Sequence, residues 1–422
     1  MGAPDAKAHG AIESVARRSY GRLIAFLSAR TRDVAGAEDA LGDALVSALA
    51  TWPRDGIPNN PEGWLLTAAR RHLIDRARHE RVKTQAQPTL AAIAPDSHGV
   101  TDTELIPDER LKLLFVCAHP AIDPQMHTPL MLQTVLGLDT AAIARAFLVS
   151  PTAMSQRLVR AKTKIRDSGI QWEVPGKTAL APRLEAVLNA IYAAYGSGWE
   201  NVAASDPRAR GLADEAIWLA RVLRELVADE PEVRGLLALM LHCEARRAAR
   251  RSSIGEFVPL SAQDPDLWNR AMIAEAEQEL AGAASLAGHE GRYQMAARLG
   301  RFQLEGAIQS VYADRARSGH IDWHAIAVLY TQLVRLAPTL GALTGRAAAI
   351  AEAEGPQAGL SLLEEIAAEA IDTYQPYWAV RAHLLQALGR QQEATDAFDR
   401  AIGLSEDDAV RLFLLARRDL AR

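Results

Sequence analysis

Apolar residues recur every three or four positions along most of this chain, the spacing of amphipathic helices, and β-branched runs are short and rare. Residues 11–50 predict two helices, AIESVARRSYGRLIAFLSAR and DVAGAEDALGDALVSALATW, the second with Leu41, Leu45 and Leu49 at helical spacing. Its early residues are acidic (Asp33, Glu38, Asp39, Asp43), which suits the positive end of a helix dipole. PRDGIPNNPEG (53–63) is a loop. WLLTAARRHLIDRARHERVK then resumes a helix with an apolar face (Trp64, Leu65, Ala68, Leu73) and a basic one (Arg70, Arg71, Arg78, Arg81). Residues 84–106 hold no sustained period and predict a linker. A second helical block runs from PDERLKLLFVCAHPAI to Ile165, and DSGIQWEVPGK (167–177) is the next break.

From about residue 178 helix follows helix, and the last part repeats itself. EGPQAGLSLLEEIA (354–367) aligns with LGRQQEATDAFDRAI (388–402) at a shift of 34 residues, which sets Gly355 on Gly389, Leu360 on Ala394 and Ala367 on Ala401. One more step back reaches Ile326, Tyr330, Leu333 and Pro338. Paired helices with that period carry the tetratricopeptide signature. Gly389, Ala394, Phe398 and Ala401 match it well, whereas Glu364 stands where a bulky residue is usual.

Length and composition narrow the class. The 422 residues are enough for two to four domains, and 49% hydrophobic with 23% charged residues describes a folded chain. Aromatics are sparse while Ala, Leu and Arg abound, so the expected fold class is all-α. Two cysteines, Cys117 and Cys243, exclude a disulfide framework and point to a reducing cytoplasm. The N-terminus has no signal-peptide pattern, and no run of about 18 apolar residues predicts a membrane span.

The net charge of −5 hides an uneven distribution. LVSPTAMSQRLVRAKTKIR (148–166) carries Arg157, Arg160, Lys162, Lys164 and Arg166 and no carboxylate. TAAIARAF before it is a short helix, LVS a turn, Ser150 an N-cap and Pro151 a first helical residue. Met154, Leu158, Ala161 and Ile165 form one buried stripe, leaving Thr152, Ser155, Gln156, Val159, Arg160 and Lys164 outside. A basic amphipathic helix alone is usually a solvated surface. The short helix, the turn and the Ser-Pro start make this one a helix-turn-helix, whose Gln and Arg reach base edges while other cations neutralise phosphates. A second basic helix, with Arg70, Arg71, Arg76, Arg78, Arg81 and Lys83 after an Asn/Gly loop and beside Trp64, suits unstacked single-stranded DNA.

Together these blocks resemble a known family. AEDALGDALVSALATWP with NPEGWLLTAARRHLIDRARHER resembles region 2 of bacterial RNA polymerase sigma factors, and residues 105–166 resemble region 4. The loose linker between them is similar to the small extracytoplasmic-function group, and the tail to its subgroup with a long C-terminal tetratricopeptide-like extension. The resemblance implies a region 2 domain at 8–83, a linker at 84–106, a region 4 domain at 107–168, a helical extension at 178–320 and repeats at 321–422. It implies core polymerase as partner, through the β′ clamp helices and the β subunit, with Glu38, Asp39 and Asp43 on the docking helix; Gly42 stands where the family often has Gln. Promoter DNA is the second partner. Asn59 and Asn60 are expected at the −10 base pocket, Trp64 at the start of the helix that captures the −10 element, and Arg70, Arg71, Arg76 and Arg78 along the backbone. Thr152, Ser155, Gln156, Arg157, Val159, Arg160, Lys162 and Lys164 are expected on the −35 duplex. The C-terminal domain is expected to regulate or support activity, by intramolecular contact with the sigma domains or by contact with polymerase.

Other readings explain less. A helix-turn-helix regulator with a repeat sensor domain accounts for 138–166 but not 36–83. A repeat scaffold leaves both basic helices incidental. An enzyme lacks a motif: there is no P-loop, G-x-S-x-G or H-E-x-x-H, and neither Cys117 with His119 nor His242 with Cys243 has a partner pair for a metal. No catalytic residue, cofactor or metal is expected, and Glu364, Glu365 and Glu369 read as a solvated helix face.

Overall fold

A computed structural model describes residues 3–84, 108–147, 149–200, 207–288 and 299–420. The chain is all-helical; the described residues hold no β-strand beyond one bridge between Arg251 and Phe257. The linker expected at 84–106 lies, beyond Thr84, outside the described residues, as does Leu148 in the turn. The helices fall into two compact units, Met1–Leu219 and Ala220–Arg422.

The first unit opens with three mutually packed helices, α1 (Ala3–Thr31), α2 (Val34–Asp55) and α3 (Pro61–Thr84). The buried stripe of α2 is Val34, Ala37, Leu41, Ala44, Ala48 and Trp52. The expected row of Leu41, Leu45 and Leu49 holds only at Leu41, and Leu49 is 41% exposed. A step of four residues overshoots one turn by about 40°, so two steps carry a side chain off the buried face. Small alanines take the inner positions instead and let neighbouring helices approach. On α3 the described buried residues are Gly63, Leu65, Leu66 and Ala69, while Trp64 and Ala68 of the expected apolar face are half-exposed.

Next come α4 (Arg110–Cys117), α5 (Pro124–Thr134), α6 (Thr140–Ala146) and α7 (Pro151–Asp167). Their starts are set locally. Asp123 accepts from Gln125 N, Asp139 from Ala142 N at 2.7 Å, and Ser150 from Ala153 N at 3.2 Å, each relieving an orphan amide of the first turn. Met154, Leu158, Ala161 and Ile165 are buried as the spacing requires. Cys117 lies wholly inside, its Sγ 3.6 Å from Thr134 Oγ1, and burial pushes its thiol up to about 12. Burial raises Cys243 also. The native chain at pH 8 will therefore leave Cys117 unmodified by iodoacetamide, and denaturant will expose it; peptide mass spectrometry reads the difference.

Two further helices follow, α8 (Lys177–Glu200) and α9 (Pro207–Leu226), the unit boundary falling inside α9. α8 lies on α5 and α4, where Arg183 Nη1 reaches the Phe115 carbonyl at 3.5 Å. The Arg110 guanidinium, nearly buried at the start of α4, pairs with Asp108 and Glu215 and stacks 4.2 Å from the Trp218 ring centre.

The second unit contains α10 (Pro231–Ala245), α11 (Arg270–Gly288), α12 (Arg301–Ala313), α13 (Arg315–Ser318), α14 (Trp323–Leu336), α15 (Leu340–Glu354), α16 (Pro356–Glu364), α17 (Ala368–Ile371), α18 (Gln375–Ala387), α19 (Gln391–Leu404) and α20 (Asp408–Asp419). Gly355 ends α15 at φ 108° and Gly389 follows α18 at φ 74°, so both glycines of the 34-residue shift turn a helix pair through backbone that disfavours side chains. Leu360, Ala394, Phe398 and Ala401 are buried in one core cluster. Ala367 departs from its match: α16 stops at Glu364, and Ala367 is exposed in the turn that follows. The two exposed carboxylates Glu364 and Glu365 end the apolar face before it reaches Ala367.

Candidate nucleic-acid and protein interfaces

Three surfaces of the first unit hold the expected site residues. The first is a cleft where α2 hands over to α3. Gly56, at φ 91°, ends α2 with its N–H on the Trp52 carbonyl at 3.1 Å. Asn60 Oδ1 then accepts from Gly63 N at 2.9 Å and starts α3. Behind this turn lies a cleft of about 250 Å³, lined by Pro58, Asn60, Gly63, Trp64, Thr67, Ala68 and Arg71. Trp64 stands edge-on to the buried Trp52, ring centres 5.6 Å apart at 76°.

The cleft unites Asn60, Trp64 and Arg71 of the expected residues; Asn59 is exposed and lies outside its lining. Thr67, Ala68 and Arg71 stand three, four and seven residues after Trp64, so helical spacing already put them on one face. Pro58 and Gly63 carried no such signal. Arg70 turns away and stacks on Phe26, 5.2 Å from the ring centre, a ring it shares with Arg30 at 3.5 Å. Arg76 reaches Asp39 at 2.7 Å and Arg78 reaches Asp75 at 3.7 Å, all four exposed. Such solvated pairs are worth about 0–1 kcal/mol and exchange readily for other partners.

The second surface is the outer side of α2. Asp39, Gly42 and Asp43 are exposed there, with Val46 65% exposed beside them. Val46 escapes a reading based on charge alone; its signal was an apolar residue out of phase with the buried stripe. Glu38 faces the other way. Its carboxylate pairs with the Lys162 ammonium of α7. Burial pushes the Glu38 carboxyl up, and Lys162 pulls it back.

The third surface is the outer side of α7. Thr152, Ser155, Gln156, Arg157, Val159, Arg160 and Lys164 are all exposed, Val159 at 60%. Among the described residues Arg157, Arg160 and Lys164 have no carboxylate partner. Lys162 departs from the expectation: it is 6% exposed and committed to Glu38. It sits one residue beyond Ala161 of the buried stripe, so its stem follows that stripe inward. Among the described residues no cluster of three or more His, Cys, Asp or Glu has the arrangement of a metal site. No described helix is long and apolar enough to cross a membrane.

Comparison with known proteins places these surfaces in context. The Sigma-70 region 2 family matches residues 15–82, the span that holds α2, the cleft and all but the last two residues of α3. A family of unknown function, DUF6596, matches residues 183–284. Over 414 residues the chain is 36% identical to the uncharacterized protein R00370 of Rhizobium meliloti (strain 1021), an alignment covering 97% of this chain and 94% of that one. No solved structure matches.

Proposed function

We propose that this chain, which belongs to the same family as the Rhizobium meliloti protein R00370 and carries a Sigma-70 region 2 at its N-terminus, is a promoter-specificity factor of the sigma-70 family, of the extracytoplasmic-function group. It binds core RNA polymerase and directs initiation at its promoters. The observation that carries the reading is the coincidence of the region 2 match with the Trp64 cleft.

The roles follow from charge, exposure and shape. The outer face of α2 presents two carboxylates and an exposed valine, a surface suited to a basic, partly apolar helix pair such as the polymerase clamp helices. The cleft is concave, half polar, walled by an indole and edged by Arg71. It suits a base flipped from the −10 strand, where stacking on Trp64 offsets the unstacking cost of a few kcal/mol. α6 and α7 act as a helix-turn-helix on the −35 duplex. Gln156 and Arg160 read base edges, the apolar Val159 meets a thymine methyl, and Arg157 and Lys164 hold phosphates. The helical extension at 178–320 and the tetratricopeptide-like repeats at 321–422 together form the regulatory part. No bond is made or broken; binding energy is exchanged for strand separation.

The test is in vitro transcription with bacterial core polymerase on a promoter library. Wild type gives discrete start sites. Arg160→Ala, which removes one base-edge contact worth about 1–3 kcal/mol, lowers them roughly 5- to 150-fold. DNA binding without core association or initiation would instead make the chain an ordinary regulator.

A further inference from the structure

A second cleft, of about 340 Å³, lies within the second unit, between the start of α15 and the end of α16. These two helices fold back on each other at Gly355. Small residues bring them together near that turn: a Cβ on Gly359 would stand 2.5 Å from the Ala347 carbonyl oxygen and from Ala351 Cβ. Away from the turn the facing residues are large, and there the cleft opens, with Leu340, Leu343 and Arg346 across from Leu362, Glu365 and Ile366. The repeat explains why no helix fills it. On the 34-residue shift Glu364 falls on Phe398, yet α19 runs on to Leu404 while α16 stops at Glu364. The second helix of this repeat is thus about 9 Å shorter at its end.

The two charged groups of this cleft stand alone. Arg346 is half-buried, with its Nε wholly inside and without an acceptor. Glu365 is exposed at the rim. Among the described residues neither side chain has an ion-pair or hydrogen-bond partner, and they do not pair with each other. The neighbouring Glu364, by contrast, reaches Arg381 at 3.5 Å. A buried guanidinium N–H without an acceptor is costly and rare in a folded protein, because water no longer serves it. The cleft therefore offers four apolar side chains, one unmet cation and one solvated carboxylate.

We propose that this cleft binds a free apolar amino acid, with its carboxylate on Arg346, its ammonium towards Glu365 and its side chain among Leu340, Leu343, Leu362 and Ile366. Charge complementarity selects the zwitterion. An apolar acid without an amine would meet Arg346 but bring a second negative charge beside Glu365. An apolar amine would leave Arg346 unmet, and a neutral molecule would leave both groups unmet. The guanidinium is the stronger anchor, because its buried part is shielded from water, and the exposed Glu365 adds selectivity more than affinity. The volume falls at the small end of the range for small-molecule sites, about 300–1,000 Å³. This site is independent of the sigma-factor reading above.

Isothermal titration calorimetry on the full-length chain tests this, with L-leucine as the probe. L-leucine should bind at one site per chain with a Kd of about 1 mM or tighter. Glycine, which lacks the apolar side chain, and L-leucinamide, which lacks the carboxylate, should each bind at least about tenfold more weakly. N-acetyl-L-leucine, which lacks the ammonium, should bind roughly two- to fivefold more weakly. Arg346→Gln should weaken L-leucine at least about tenfold, and Glu365→Gln roughly two- to fivefold. No saturable binding of L-leucine up to about 10 mM would overturn the site. So would an Arg346→Gln chain that keeps its helical circular dichroism and binds L-leucine as wild type does. N-acetyl-L-leucine binding more tightly than L-leucine would overturn the free amino acid and point to the C-terminal residue of a peptide. If Arg346→Gln fails to fold, the comparison of L-leucine with L-leucinamide on wild type decides. No readout here involves polymerase, so failure of this site leaves the sigma reading standing.

Discussion

Replacing Gly235 with alanine will destabilise the second unit by about 3 kcal/mol or more. The new Cβ would stand 2.5 Å from the Gln303 amide nitrogen and 2.8 Å from Gln303 Cα and Phe302 C, all backbone atoms of α12. Side-chain tips yield to such an intrusion; a helix backbone yields only by moving the helix. Here the helix is pinned. The Glu232 carboxylate, one turn before Gly235, accepts from Phe302 N at 3.0 Å and Gln303 N at 3.1 Å, capping the start of α12. Withdrawal of α12 would break that cap and open the tight crossing, so strain and lost hydrogen bonds add. Gly306 is the internal control. A Cβ there first meets the Leu280 Cδ2 tip at 3.1 Å and the Gly235 carbonyl at 3.2 Å, so Gly306→Ala costs about 1 kcal/mol. Urea unfolding followed by far-ultraviolet circular dichroism reads both, and equal midpoints for the two variants would contradict the crossing.

Trp64→Ala will abolish most promoter opening while leaving duplex binding through α7 intact. The indole is the only large flat surface in the cleft lining, and stacking a base on it is worth about 1–3 kcal/mol. Its loss predicts a drop of roughly 5- to 150-fold in open complex. The fold survives, because Trp64 is half-exposed and Trp52 loses an edge-to-face partner worth about 0.5–1.5 kcal/mol. Trp64→Phe keeps an aromatic face and should recover most of the activity. Permanganate reactivity of −10 thymines, measured beside a binding assay on duplex −35 DNA, separates the two steps. Undiminished thymine reactivity in Trp64→Ala would remove the cleft from promoter melting.

Much of this was legible before any coordinates. The stripe Met154, Leu158, Ala161 and Ile165 is as the period predicts, because burial of a helix face follows from spacing alone. The Ser150 and Pro151 start of α7 depends only on neighbouring residues. The outward set from Thr152 to Lys164 followed from the same geometry, apart from Lys162. Harder cases sat at the edges of a face. Leu49 and Lys162 each lie one step from a boundary, where the partner element decides which way a side chain turns.

Local chemistry therefore settled the all-α class, the helix starts and the two basic helices. Those properties depend on residues within one turn of each other. Tertiary structure decided what faces what: that Asn60, Trp64, Thr67 and Arg71 enclose a cleft while Arg70 stacks on Phe26. It also decided that α1 meets the end of α5 through Gly21, and that Glu38 holds Lys162 across 124 residues of chain. Pairings at such separations carry no periodic signal, because they arise from the packing of whole helices rather than from the spacing within one.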